Sequence, residues 1–365
     1  SGVVPRAKPG ARGTAARCRR RILWPMVVAA VLCLSAAGLT AALGAWSLTR
    51  PPSGDYVRQV LRGVAPTQLA AAVMLAADRV RRWRAPGAPP ARALPLLVVG
   101  AVGVWSHPAL DWLNTYGVRL LMPFSGRWFY GDAVFIIDPW LWLLLGAAAV
   151  LATTRRLASV SLWALLGLAA SWLMLSADEV PGPARGVWVA GVAAIVVARL
   201  RWRDTAQVTV AARACLAAAL LYVGLMVAGS AIARGRAARW LVAQGTPARQ
   251  VMAGPLPANP FVREIIAVHD RHYSFHVLDL VSGAIRPFSP DMPIGGPTPV
   301  TDAARRAPSM RGLDTWLRFP SYEVRPMPDG GYQVTIRDVR YARFGARARG
   351  IGQGYVELDA HLRPR

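Results

Sequence analysis

Between residues 93 and 233 apolar runs follow one another with little between them, at about 93–113, 133–153, 157–176, 186–199 and 208–233. A helix needs roughly 20 apolar residues to cross ~30 Å of hydrocarbon. Such runs leave few folds open, because a chain in lipid must satisfy its backbone hydrogen bonds internally. A further run at 22–48 exceeds the ~7–15-residue core of a secretory signal peptide, which makes a retained helix the expectation. Residues 64–77 are apolar but short, as in a thin span or a re-entrant element. The expected fold is an all-α multi-spanning membrane domain over 22–233, with about six to seven transmembrane helices, followed by a small β-rich C-terminal domain. Hydrophobic residues make up 54% of the chain and charged residues only 17%, which favours a polytopic membrane protein over a soluble basic one.

Forty-three Lys and Arg against 19 Asp and Glu give a net charge of +24, and Lys8 is the only lysine. The arginines flank apolar runs. Arg17, Arg19, Arg20 and Arg21 precede the first run, and Arg79, Arg81, Arg82 and Arg84 follow the second. Arg155 and Arg156 follow the fourth, and Arg199, Arg201 and Arg203 the sixth, while alternate loops hold Asp132, Asp178 and Glu179. Basic residues mark cytoplasmic loops, so a seven-span arrangement with the N-terminus inside is expected. It puts the 114–132 loop and the C-terminal region outside, and it inverts for the C-terminal half if 64–77 does not span. A nucleic-acid surface would need a folded basic face or a reading motif, and neither is visible. Cys18, Cys33 and Cys215 lie far apart, without the spacing of a disulfide framework or zinc site. Residues 1–21 read as a disordered basic arm.

Beyond residue 234 the pattern changes. Residues 234–259 read as a surface helix and linker, and 260–365 as the β-rich domain. "REIIAVHDRHYSFHVLDL" alternates with period two around a turn, and "SYEVRPMPDGGYQVTIRDVRY" does so around Asp329-Gly330. His269, His272 and His276 read as turn and solvent-face residues rather than ligands. "GIGQG" at 350–354 lacks the lysine and the strand–helix setting of a phosphate loop.

The stretch "SHPALDWLNTYGVRLLMPFSGRWFYGDAVFIIDPWLW", residues 106–142, stands apart, with its His, three Asp, an Asn and two Arg between apolar runs. Pro108 disfavours helix at His107 and suits a first helical turn, so a break at Ser106-His107 is expected. Asp111, four residues beyond His107, then shares its side. Ionisable groups at membrane depth cost ~2.5–3.5 kcal/mol each, so they persist where they are paired or line a polar cavity. Two readings of the residues stay open. In one, imidazole and carboxylates hold a divalent cation that activates water. In the other, Asp111 pairs with Arg119 or Arg127, His107 caps a broken helix, and Trp112, Trp128, Tyr130, Trp140 and Trp142 form an interfacial belt.

In order, His-Pro-x-x-Asp-Trp, Asn-Thr-Tyr-Gly, Arg-Trp-Phe-Tyr-Gly-Asp and the Asp before the next span resemble the membrane-bound metal-dependent hydrolases, the YdjM-like inner-membrane proteins. The resemblance implies a multi-pass protein of the bacterial inner (plasma) membrane, with His107 and Asp111 as metal ligands and Asp132 nearby. On that footing Asp132 is expected as third ligand or general base and Asp138 as a ligand or supporting group. Asn114, Arg119 and Arg127 are expected to bind substrate. The cofactor expected is a divalent ion, Zn, Mn or Mg, and the partners are the lipid bilayer and a lipid or amphipathic substrate, with phosphate suited to arginine. Family members carry further N-terminal histidine segments. Here the aligned stretch reads Arg62-Gly63-Val64-Ala65-Pro66-Thr67, which makes a divergent or N-terminally truncated copy the expectation. The opposing expectation is a catalytically inactive membrane protein that keeps the fold as a structural or interaction module.

Overall fold

The computed structural model describes residues 76, 78–84, 87, 93–122, 125–154, 157–202, 205–341 and 352–365. The arm expected at 1–21, the span expected at 22–48 and almost all of 64–77 lie outside the described residues. The chain divides into two compact units, residues 1–111 with 118–129, and residues 112–117 with 130–365.

Among the described residues five long helices precede the sheets: α1 (Ala93–Leu113), α2 (Pro139–Thr153), α3 (Leu157–Ser176), α4 (Gly182–Arg201) and α5 (Thr205–Ala243). Helix α1 corrects one expectation. It runs unbroken through Ser106-His107 with Pro108 inside it. Proline removes one backbone hydrogen bond, a loss that long apolar helices tolerate. The Ser106 hydroxyl donates to the Gly103 carbonyl at 2.9 Å. Helix α2 starts where Asp138 Oδ1 accepts the N–H groups of Trp140 (3.0 Å) and Leu141 (3.1 Å), with Pro139 in the first turn.

Among the described residues three helices, α3, α4 and α5, are long and apolar enough to cross a membrane, and α2 is a shorter apolar helix. That is fewer than the six to seven expected. Leu165, Leu168 and Trp172 on α3 and Leu220, Leu221 and Leu225 on α5 are exposed. Apolar side chains facing outward over several helices match lipid rather than water. Helix α2 packs on α4 and α5. Leu113, Ala133, Val134, Leu141, Ala219 and Met226 form one buried cluster. Trp188 joins α4 to α3 by donating its indole N–H to Ser171 at 3.0 Å.

Helix α5 is longer than the sequence indicated. The segment from 234, expected as a separate surface helix, continues α5 to Ala243. Ala233, Ala237 and Leu241, spaced by four, are fully buried, and the first two pack against Ala253, Ile265 and Leu278 of a sheet. The helix stops at Gly245, whose φ of 75° suits glycine; its N–H donates to Val242 at 3.0 Å, and that of Thr246 to Leu241 at 3.0 Å.

The β-rich region begins at Gln250, ten residues before the expected 260. Strands β1 (Gln250–Leu256), β2 (Asn259–Val268), β3 (His272–Asp279) and β4 (Ile285–Pro293) form an antiparallel sheet in that order. Pro255 hid β1 from a pattern reading; on an edge strand proline is tolerated, and the register shifts there. Helices α6 (Pro299–Arg306) and α7 (Arg311–Trp316) lead to a second sheet of β5 (Pro320–Pro326), β6 (Tyr332–Asp338) and β7 (Gln353–Leu358). The hairpins at 269–271 and 327–331 fall where the alternation put them. Met252, Ile266, Tyr273, Phe275, Phe319 and Val339 share one core between the sheets.

Ala237→Leu should overpack the α5–sheet contact and destabilise the protein by about 1–3 kcal/mol, while Ala231→Leu on the exposed side should be nearly neutral. Thermal unfolding in detergent reads the difference, and equal effects would mean that residues 234–243 are not docked.

Candidate functional site

The 112–117 and 130–138 segments fit together through two glycines. Asn114 Oδ1 accepts the N–H groups of Tyr116 (2.6 Å) and Gly117 (3.3 Å), turning the chain after α1. Gly117 has φ 87°, and a Cβ there would sit 2.2 Å from the Tyr130 ring. At Gly131 a Cβ would lie 2.7 Å from the Trp112 carbonyl oxygen. The Gly131 N–H donates to that oxygen, and Ala133 and Val134 donate to the Leu113 carbonyl at 2.7 and 2.9 Å. The Asn-Thr-Tyr-Gly and Phe-Tyr-Gly-Asp motifs are thus two halves of one close backbone approach.

Asp132 is fully buried, with φ 53°. Both its oxygens are held by Arg318, Nη1 to Oδ1 at 2.7 Å and Nη2 to Oδ2 at 2.9 Å. Arg234 of α5 lies 3.8 Å from Oδ2, and the Ser230 hydroxyl donates to the Asp132 carbonyl at 2.6 Å. The Arg318 guanidinium stacks 4.0 Å over the Tyr130 ring. Burial pushes the Tyr130 phenol above its ordinary pKa, against the pull of Arg340 and Arg318.

Arg340 grips the same segment from the other side. Its Nη1 donates to the Thr115 carbonyl at 2.6 Å, and Nε and Nη2 bond both oxygens of Asp338 at 2.9 and 2.6 Å. Burial works against the Arg340 charge, but the Asp338 hydrogen bonds and charge outweigh it and hold its pKa above the ordinary arginine value. Trp316 adds its indole N–H to the Tyr116 carbonyl at 3.3 Å.

Asp138 completes the set. While Oδ1 caps α2, Oδ2 accepts the Tyr222 hydroxyl of α5 at 2.8 Å. Close by, Arg263 of β2 is fully buried, with Nη1 donating to the Pro260 carbonyl at 3.0 Å and Nη2 to the Met226 carbonyl at 3.4 Å.

The other expected residues belong to the first unit. His107 Nε2 and Asp111 Oδ2 lie 3.4 Å apart on one face of α1, with the histidine side chain well exposed. Arg119 stacks 5.1 Å over Trp128, across the bridge that pairs Val118 with Phe129, and Arg127 stacks 5.3 Å over Phe129 on its own segment. So His107 and Asp111 do meet, whereas Asp132 and Asp138 meet Arg318 and Tyr222, partners the sequence did not single out. Among the described residues no group of three or more His, Cys, Asp or Glu side chains converges as a metal cage. Tested on donor chemistry, His107 and Asp111 offer two ligands, and a metal centre commonly takes three or four from the protein; the described residues do not complete one. In the sheet, His269 sits at the β2–β3 turn as expected but is buried rather than on a solvent face, its Nε2 2.9 Å from the Ser274 hydroxyl and its ring stacked on His272.

A helical membrane region carrying this interlocked block, followed by a small antiparallel β-rich region, defines a class of membrane protein. The model of the YdjM inner membrane protein family matches residues 22–180, a range that includes the whole block. An uncharacterized protein of Mycobacterium tuberculosis is 47% identical over 78 residues, covering 21% of this chain and 68% of that protein, and its counterpart in a second strain gives the same figures. An uncharacterized protein of Mycobacterium leprae is 38% identical over 78 residues, covering 21% of this chain and 69% of its own length. No solved structure matches. The chain belongs to the YdjM inner membrane protein family.

Gly117→Ala should be among the most damaging single changes, because it combines positive φ with a clash against Tyr130. Little folded protein should survive detergent extraction. A variant as monodisperse and heat-stable as wild type would show that the segments do not meet as described.

Proposed function

We propose that this chain is a multi-pass inner-membrane protein in which the 106–142 block joins the membrane helices to the C-terminal β-rich region, a structural and interaction module rather than a hydrolytic centre. One observation carries this reading: the carboxylates best placed for catalysis already have fold-building partners. Arg318 takes both oxygens of Asp132, and the α2 N-terminus and Tyr222 take those of Asp138. Asn114 likewise builds its own turn. The six- to seven-span topology belongs to this proposal. It rests on the apolar runs at 22–48 and 64–77 and on the alternation of arginine-rich loops.

A second reading keeps a specific support. His107 and Asp111 stand side by side on α1, with Arg119 and Arg127 in the same unit. There a membrane-bound hydrolase would use a divalent metal, Zn, Mn or Mg, to polarise a phosphate-containing lipid or headgroup and to activate water. It would need further ligands beyond those two residues. The two readings separate on metal content. Mass spectrometry of detergent-purified protein should find less than stoichiometric metal in wild type, with no change in His107→Ala or Asp111→Ala. Near-stoichiometric metal lost in both variants would favour the hydrolase. In parallel, Arg318→Ala should destabilise the fold by up to about 3–5 kcal/mol, because the buried Asp132 carboxylate keeps only Arg234, at 3.8 Å, and His107→Ala should leave stability nearly unchanged.

A further inference from the structure

Histidine is rare in this chain, yet three of its five, His269, His272 and His276, fall between residues 269 and 276. The first sheet therefore holds most of the side chains whose charge ordinarily changes between about pH 5 and pH 8. His272, Ser274 and His276 alternate onto the face of β3 that carries Leu278. Leu278 packs against Ala233 and Ala237, so the row lies on the α5 side of the sheet. There the His276 ring stands edge-on to Trp240 of α5, with centroids 5.0 Å apart. His276 Nδ1 is buried and has no hydrogen-bond partner among the described residues. A neutral ring can leave one nitrogen bare. Protonation makes both nitrogens charged donors, and a buried charged donor without an acceptor costs more than a neutral one.

His269 clasps the connection between α5 and β1. Its Nδ1 lies 3.3 Å from the Pro247 carbonyl oxygen and its Nε2 2.9 Å from the Ser274 hydroxyl. A carbonyl only accepts, so Nδ1 carries the proton, and in the neutral ring Nε2 accepts from the serine. The ring lies flat on His272, with centroids 4.5 Å apart and planes 14° from parallel. Charges on both stacked rings would repel at that separation. Among the described residues the carboxylate that reaches the row is Asp291, whose Oδ2 stands 3.4 Å from His272 Nε2. Asp270 in the turn is taken by Arg249 at 2.5 Å. Arg236 and Arg239, exposed beside Trp240, and Arg263, buried further along β2, bring only positive charge to this face. Burial pushes the His276 imidazole below its ordinary pKa, against the pull of Asp291 and with a further push from His269. The undocked chain therefore takes up a proton at a higher pH than the docked one. Docking is at full strength above the ordinary histidine pKa of about 6.5 and weakens as pH falls through the lower, docked value.

We propose that His269, His272 and His276 form a proton-sensitive latch: neutral, they hold the last turn of α5 and residues 246–249 against the first sheet, and protonated they release them. The proposal is independent of any chemistry at His107 and Asp111. The test is hydrogen–deuterium exchange of the full chain in detergent at about pH 7.5 and about pH 5.5, with each rate corrected for intrinsic chemical exchange. In wild type, peptides across 238–249 should exchange roughly threefold faster or more at the lower pH, while those of α4 change less. His276→Phe keeps an aromatic edge against Trp240 but cannot titrate. It should match wild type at the higher pH and lose at least about half of the pH response. His269→Gln, which can keep both hydrogen bonds, should lose part of it too. The control His361→Gln, at an exposed histidine near the C-terminus, should respond as wild type does. No pH response in wild type, one equal in α4, an undiminished response in His276→Phe, or equal loss in His361→Gln would each overturn the proposal. If His276→Phe is unprotected already at the higher pH, His269→Gln decides by the same criterion.

Discussion

The buried pair of Asp132 and Arg318 is the interaction on which the second unit depends. Its members stand 186 residues apart in the chain, one before α2 and one before β5. Neither charge can be buried alone, since an unpaired ion in a protein interior costs several kcal/mol. The C-terminal region therefore cannot reach its final packing until the loop before α2 is in place. Tyr130 beneath the guanidinium, Ser230 on the Asp132 carbonyl and Arg234 beside the carboxylate fix the geometry further. Such a pair adds little net stability over apolar packing, but it penalises every alternative docking that would leave one charge bare.

The same logic accounts for the density of polar groups in 106–142. Asn114 satisfies two N–H groups after α1, and Asp138 satisfies two more at the start of α2. Arg340 brings hydrogen bonds to the Thr115 carbonyl from the far end of the chain. Gly117 and Gly131 allow the backbones to meet. Each group answers another, which is how polar residues persist at the edge of hydrocarbon. His107 and Asp111 stand outside this network, on α1 in the other unit, and any chemistry proposed for the block begins with them.

Much of this is legible in the sequence alone. Apolar runs marked α2, α3 and α4, and Asp-Gly at 329–330 marked a hairpin. The spacing of His107 and Asp111 put them on one face. What stayed hidden required long-range partners. Nothing local ties Arg318 to Asp132, or Arg340 to Thr115 across 225 residues. Pro108 looks like a helix break, yet the 21-residue α1 continues through it, as long apolar helices can do where their surroundings satisfy the freed carbonyl. The arginines at 234, 236 and 239 looked like the end of a span, but buried Ala233, Ala237 and Leu241 carry the helix on against the sheet. Strand β1 was masked by Pro255, which an edge strand accommodates.

The packing of the second unit requires Asp132 and Arg318 to act as one unit. A double-mutant cycle of Asp132→Ala and Arg318→Ala, read by unfolding in mixed detergent, measures that coupling directly. The structure predicts strong non-additivity, with the double variant no less stable than either single one and a coupling of about 2 kcal/mol or more. Additive losses would contradict it: they would mean that the two residues act separately and that the 106–142 block does not hold the C-terminal region.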